Sequence, residues 1–311
     1  MDSTRKNKGL IRLFCFLLMI SLAGCNFFNG GNPKTKSKAV PDFHKKTPHS
    51  GATADSEHPY GKPFRGVLHW EADRRFQATL AAQKMKVRMA AFQTTLPDPL
   101  PGEEANVALA ADYLAGQLIK PGELFSMNRS IGPYSKARGF REGPAYYGAN
   151  VVKVTGGGVC KIASTLYNVA ILANLKIIER NPHSMPVPYV PSGQDATVSS
   201  SHKDFRFLNN SGEPVLIWAD TRRNTLYMAI YGRANPPRVT WRHQILSRKP
   251  FRTFYQKNSR LKPGQEKIII PGADGLVVKS GLTVKYRDGR TEYKDLGIDR
   301  YNPLPRVIEI R

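Results

Sequence analysis

The sequence predicts an α+β protein, a mixed helix–strand domain followed by a smaller β-rich unit. Three observations carry this. Glu103–Ile119 and Cys160–Asn174 place apolar residues at helical spacing. Short strand-like runs flank both helices. The breaker Arg233-Ala234-Asn235-Pro236-Pro237 then precedes a stretch whose periodic runs all read as strand. The divisions that follow are an export signal at 1–24, a disordered tether at 25–66, the mixed domain at 67–235 and the β-rich unit at 236–311. The chain's 311 residues suffice for two modest domains.

The N-terminus is an address. Arg5, Lys6, Lys8 and Arg12 form a positive region, and Leu13 to Ile20 is an apolar run too short to span a bilayer. Leu22-Ala23-Gly24-Cys25 follows as a lipobox, in which Cys25 is lipidated and becomes the new N-terminus. The expectation is an exported lipoprotein held to the outer face of a bacterial cell membrane through acyl chains on Cys25. From Asn26 to about Arg65 the chain is rich in Lys, Pro, Gly and Ser, with too few apolar residues to fold. A coil of that length reaches on the order of 35 Å. His44, His49 and His58 fall in it and read as solvated, because a metal tract needs tighter clustering.

Folded structure is expected from about Val67. Val87–Leu96 is a strand entering a loop with Pro97, Pro99 and Pro101. In Glu103–Ile119, Val107, Ala110, Leu114 and Leu118 share one face, and Lys120-Pro121-Gly122 ends the helix. Glu123–Met127 is a short strand, Asn128–Gly143 a basic, turn-rich stretch, and Tyr146–Val154 extended. Gly156-Gly157-Gly158 makes a sharp turn into the helix that Cys160 opens, with Ile162, Leu166, Val169 and Ala173 facing a core. Lys176–Arg180 is a strand. Phe205–Leu208 and Val215–Ala219, separated by Asn209-Asn210-Ser211-Gly212, read as a hairpin, and Leu226–Tyr231 as a strand. Beyond the breaker, Val239–Trp241, Lys267–Ile270, Leu276–Lys279, Thr283–Arg287 and Val307–Ile310 are strands. Asp288-Gly289 joins two of them in a hairpin.

The formal net charge is +23, and +20 once residues 1–24, with four basic and one acidic side chain, are removed. Such a balance calls for an anionic partner: acidic lipid, an anionic wall polymer or peptidoglycan. Nucleic acid is disfavoured by the export signal and by the lack of aromatic–basic repeats. The glycine turn has no lysine–hydroxyl pair for a phosphate loop, and no dinucleotide fingerprint is present, so no cofactor is expected.

Cysteine usage narrows the chemistry. Cys15 leaves with the signal and Cys25 takes lipid, which leaves Cys160 alone, either an inert core thiol or a reactive one. A thiol on the first turn of a helix lies at the positive end of the dipole, which favours thiolate. Cys160, His183 and Asp195 occur in the order nucleophile, base, orienting acid. That order is similar to transglutaminase-like, papain-like and NlpC-type folds. Ser164 and Thr165 read as packing or back-bonding hydroxyls. One cysteine and one histidine do not close a zinc shell, so no metal is expected.

From about Arg88 to Arg233 the chain resembles the VanW family. The residues that carry this are Lys120–Asn128 (KPGELFSMN), Gly132-Pro133, Gly139-Phe140, Gly156–Asn168, Asn181–Ser184, Pro186-Val187, Tyr189–Pro191 and Gly193–Val198. The resemblance implies a bacterial cell-envelope protein and brings no defined activity with it. The family usually has glutamine after the cysteine, where this chain has Lys161. Two readings stand: a thiol-dependent peptidase, amidase or acyltransferase acting on wall material, or a non-catalytic wall-associated binding or accessory protein whose glycine turn is structural.

Overall fold

A computed structural model describes residues 58–97, 99–147, 150–200 and 202–311. The export signal, Cys25, most of the tether and His44 and His49 lie outside the described residues. Order begins earlier than Val67. His58 is half-buried, its Nδ1 accepts from the Tyr60 and Gly61 N–H groups, and burial pushes it down to about 4. It is a neutral turn acceptor and not a solvated side chain. The next residues form β1 (Gly61–Pro63), so the tether ends before them.

Asp73 starts α1 (Arg74–Ala82) by accepting from the Arg75 and Phe76 N–H groups. Neither element was legible as periodic sequence. β2 (Val87–Thr95) follows, then α2 (Glu103–Leu114), which stops short of the expected Ile119. Gly116 has φ +90°, a left-handed conformation that releases the chain into β3 (Gln117–Ile119). β4 (Leu124–Ser126) leads directly into α3 (Met127–Ile131), capped by Ser126 Oγ. β5 (Glu142–Tyr147) and β6 (Asn150–Thr155) form a hairpin that delivers the chain to α4 (Val159–Leu172).

β7 (Lys176–Glu179), β8 (Arg206–Leu208), β9 (Val215–Arg222) and β10 (Thr225–Gly232) complete the mixed region. The expected hairpin of 205–208 with 215–219 does not form. β8 lies between β4 and β7, while β9 lies between β10 and β3. Asn209 separates them: its side chain donates to Ile119 O and Glu213 O, turning the chain from one sheet to another. The central sheet is antiparallel, in the order β1-β2-β10-β9-β3. α4 packs across β2 and β10 and α2 against β9.

After residue 237 only strands follow: β11 (Arg238–Lys249), β12 (Thr253–Lys257), β13 (Glu266–Ala273), β14 (Gly275–Lys285), β15 (Thr291–Tyr301) and β16 (Leu304–Ile310). They make two three-stranded sheets, β11-β14-β15 and β12-β16-β13. β14 and β15 meet around Asp288-Gly289, though the connection runs from Tyr286 to Arg290 and is longer than two residues. β14 is one strand where the sequence suggested two, with a bulge opposite Ser280-Gly281. Among the described residues the protein is thus mixed and strand-rich, with four α-helices and several antiparallel sheets. No helix among them is long and apolar enough to cross a membrane.

Val239, Trp241, Leu282 and Val284 belong to the same core as α4, β2 and β10. The ring of Trp241 meets that of Tyr167 edge-on. Trp241→Ala in the full chain is therefore expected to cost about 3–5 kcal/mol of stability, as removal of a buried tryptophan does. Urea unfolding measures this. A cost below about 1 kcal/mol would mean that the strands after residue 237 stand apart from the central core.

Candidate active site

The glycine turn fixes where α4 begins. Gly156 and Gly158 have φ of +83° and +101°, which L side chains rarely adopt. At Gly157 the constraint is space, since a Cβ there would lie 2.3 Å from the carbonyl carbon of Gly143. Buried Asn106 of α2 clamps the turn. Its Nδ2 donates to Gly157 O and Arg141 O, both at 2.9 Å, and its Oδ1 accepts from Arg141 N at 2.7 Å.

Cys160 is the second residue of α4. Val159 and every residue from Lys161 to Ile171 are buried, whereas Cys160 is partly exposed. The helix opens at its thiol. Thr197 Oγ1 lies 3.2 Å from Sγ, and Val198 O accepts from Sγ at 3.6 Å.

His183 and Asp195 lie in the irregular segment between β7 and β8, and the fold brings both to Cys160. Asp195 Oδ2 accepts from the His183 backbone N–H at 2.7 Å and pairs with His183 Nδ1 at 2.6 Å. With Nδ1 held there, Nε2 is the ring nitrogen left for the thiol. Asp195 Oδ1 accepts from Arg180 Nη2 at 2.9 Å and from the Tyr301 hydroxyl at 2.5 Å. The carboxylate is buried and fully hydrogen-bonded.

The electrostatics follow from this geometry. Burial works against a thiolate, but hydrogen bonding and charge from His183, with help from Thr197 and Val198, bring the Cys160 thiol down to about 7. Burial likewise disfavours an imidazolium, but Asp195 and the thiolate lift His183 to about 9. The Asp195 carboxyl is itself held below its usual range: burial opposes this, and His183, Arg180 and Tyr301 overcome it. Each charge favours the other, so thiolate and imidazolium form as a pair.

Sequence reasoning did not find Arg180, Tyr301 or Asn106. Arg180 Nη1 donates to both oxygens of Asp299, at 2.6 and 2.7 Å, and its Nε to Asp195 O at 2.6 Å. Its guanidinium lies over the Tyr167 ring, 5.3 Å from the centroid. Tyr301 also accepts from Gly193 N at 2.8 Å. Arg180 adjoins the Asn-Pro-His-Ser run, a hint visible in sequence; Tyr301 had no such signal.

Other expected residues have structural places. Ser164 Oγ donates to Cys160 O and Ala196 O, and Thr165 Oγ1 to Lys161 O, so both are back-bonding hydroxyls. Lys161 is buried and donates to Asn224 O at 3.0 Å. Adjacent residues on a helix point about 100° apart, and its ammonium is committed to that carbonyl, away from the thiol. His243 Nε2 accepts from Gln194 Nε2, and burial pushes it down to about 4, so it stays neutral. Among the described residues no group of three or more His, Cys, Asp or Glu is placed to hold a metal ion.

Fold and site together define a mixed α and β protein with a thiol, an imidazole and a carboxylate gathered at a helix start. Residues 102–231 match the family described as VanW like protein, and the chain carries that family's domain. It is 36% identical over 126 residues to "Uncharacterized protein YoaR" of Bacillus subtilis (strain 168), covering 40% of this chain and 42% of that protein. It is 33% identical over 118 residues to "Vancomycin B-type resistance protein VanW" of Enterococcus faecalis, covering 36% of this chain and 43% of that one. The matches span less than half the length of these relatives. A solved IgA1 protease G5 domain is similar at 20% identity over 24% of this chain and 90% of that chain, with a TM-score of 0.15.

Asp195→Asn should remove the charge that supports the imidazolium. The His183 titration, followed by NMR of its ring Cε1–H, is expected to move down from about 9 by at least about one unit, as loss of a close opposite charge does. An unmoved midpoint would show that Asp195 does not set the state of His183.

Proposed function

We infer that this VanW-family chain is an exported, surface-anchored, thiol-dependent enzyme of the peptidase, amidase or acyltransferase kind, acting on peptide or amide bonds of cell-wall material. One observation carries the reading: the thiol is partly exposed at a helix start, with His183 beside it and Asp195 behind His183. A core thiol needs neither partner. The positive N-terminal region, the apolar run and the lipobox ending in Cys25 support export and anchoring.

The chemistry is acyl transfer. The Cys160 thiolate attacks the amide carbonyl carbon, a C–S bond forms, and the carbonyl oxygen takes up negative charge. That charge develops beside the Cys160 N–H, one of the first-turn donors an α-helix leaves unbonded within itself. The C–N bond then breaks as His183 passes its proton to the departing nitrogen. Water or an acceptor amine, deprotonated by the now neutral His183, opens the thioester and restores the thiolate and imidazolium. Asp195 holds the ring through Nδ1 throughout. Lys161 takes no part in these steps.

Alkylation rate against pH tests this reading. The wild-type midpoint is expected near 7, and His183→Ala should move it up towards the ordinary thiol value of 9.0. At pH 7 the variant would then label on the order of 100-fold more slowly, following its thiolate fraction. A wild-type thiol that labels only after unfolding sinks the enzyme reading. Anchoring is checked separately: Cys25→Ala should leave the membrane pellet on cell fractionation, and a variant that stays there argues against a lipid anchor.

A further inference from the structure

The basic character of the chain is not evenly spread. Residues 238–311 hold 17 Lys and Arg against 7 Asp and Glu, net +10, whereas residues 102–231 hold 13 against 10, net +3. The pleat of the β11-β14-β15 sheet sorts this charge. Side chains alternate faces along a strand, and residues paired across strands share a face. The inward face carries Trp241, Leu282, Val284, Asp299 and Tyr301 towards the core and the thiol site. The outward face carries Arg238 and Arg242 on β11, Lys279 and Lys285 on β14, and Arg300 on β15, all exposed. The one acidic side chain among them is Asp295, which Lys279 meets at 3.2 Å. Arg300 pairs with Val277 and Arg238 with Lys285, so the charged strip runs about 26 Å along β14 at roughly 3.3 Å per residue.

We propose that this outward sheet face is a docking surface for a linear phosphodiester polymer of the kind found in a cell envelope. The charges lie in a row along the strands, which suits an extended chain. Three of the five cations are arginines, whose planar fork grips phosphate oxygens. A membrane surface is a poorer fit, because the exposed apolar side chains of β15, Tyr293, Leu296 and Ile298, are broken up by the charges of Asp295 and Arg300. Single-stranded nucleic acid needs free aromatic faces for stacking, and the Tyr293 ring has Arg242 over it at 5.1 Å. This surface is independent of the chemistry at Cys160.

The test is binding of the full chain to poly(glycerol phosphate), to phosphatidylglycerol vesicles and to a thymidine oligonucleotide, each across a salt series. The polymer should bind tightest, with affinity falling as salt rises. The triple variant Arg242→Gln, Lys285→Gln, Arg300→Gln should bind at least tenfold more weakly, with the logarithmic salt slope smaller by about two, near 0.7 for each lost contact with a single-stranded polyanion. Arg74→Gln, Arg75→Gln, Lys84→Gln removes the same charge on and beside α1 and should change neither. If the two triple variants weaken binding equally, if the first binds as wild type, or if vesicles or the oligonucleotide bind tighter than the polymer, the proposal is overturned.

Discussion

The buried carboxylate of Asp195 is the contact on which the rest of the site depends. An isolated ionised carboxylate inside a protein carries a penalty of several kcal/mol. Here four donors meet it: the His183 backbone and ring, the Arg180 guanidinium and the Tyr301 hydroxyl. Hydrogen bonds to a charged group contribute about 1.5–3 kcal/mol each, so the full shell offsets the burial, and losing one donor leaves part of the cost uncovered. The arrangement also orders its members. Because Oδ2 also accepts from the His183 backbone N–H, the carboxylate is held beside the ring independently of the ring's own bond.

The sheet that follows the breaker serves two purposes through its alternation. Its inward face supplies Tyr301 to Asp195 and Asp299 to Arg180, and closes the core with Trp241 and Val284. Its outward face carries the exposed cations, while Thr283 on that face is buried. A one-residue slip of β15 would exchange the two faces, putting Arg300 inside and Tyr301 outside. The bulge opposite Ser280-Gly281 lies within this register, and Gly281 is where a side chain would press on Lys294 O at 2.9 Å.

How much of this was legible in the sequence differs by element. The two long helices and the glycine turn announced themselves through apolar spacing and left-handed glycines, both local properties. Cys160, His183 and Asp195 could be picked out by residue type and order, and the fold brings the three together. What stayed hidden depends on partners distant in sequence. Asn106 looked like one more polar residue on a helix, yet it closes the turn 51 residues later. β8 and β9 looked like a hairpin because they alternate on either side of a turn, but Asn209 commits them to different sheets. α1 and β1 lay in polar sequence where tertiary packing, and not propensity, decided the outcome.

The segment that matches the family, residues 102–231, contains all three members of the cluster but not their whole support. Tyr301 and Asp299 lie beyond it, on a strand whose neighbours were expected to form a separate unit. Without them Asp195 keeps the contacts of its own segment, while Arg180 loses the bidentate partner that fixes its guanidinium. A charge held by a mobile guanidinium still stabilises a carboxylate but no longer orients it. Orientation is what an imidazole paired through Nδ1 requires, because the direction of Nε2 follows from it. The site geometry read from the first 235 residues therefore depends on the last 76, and the working unit is the pair of regions together.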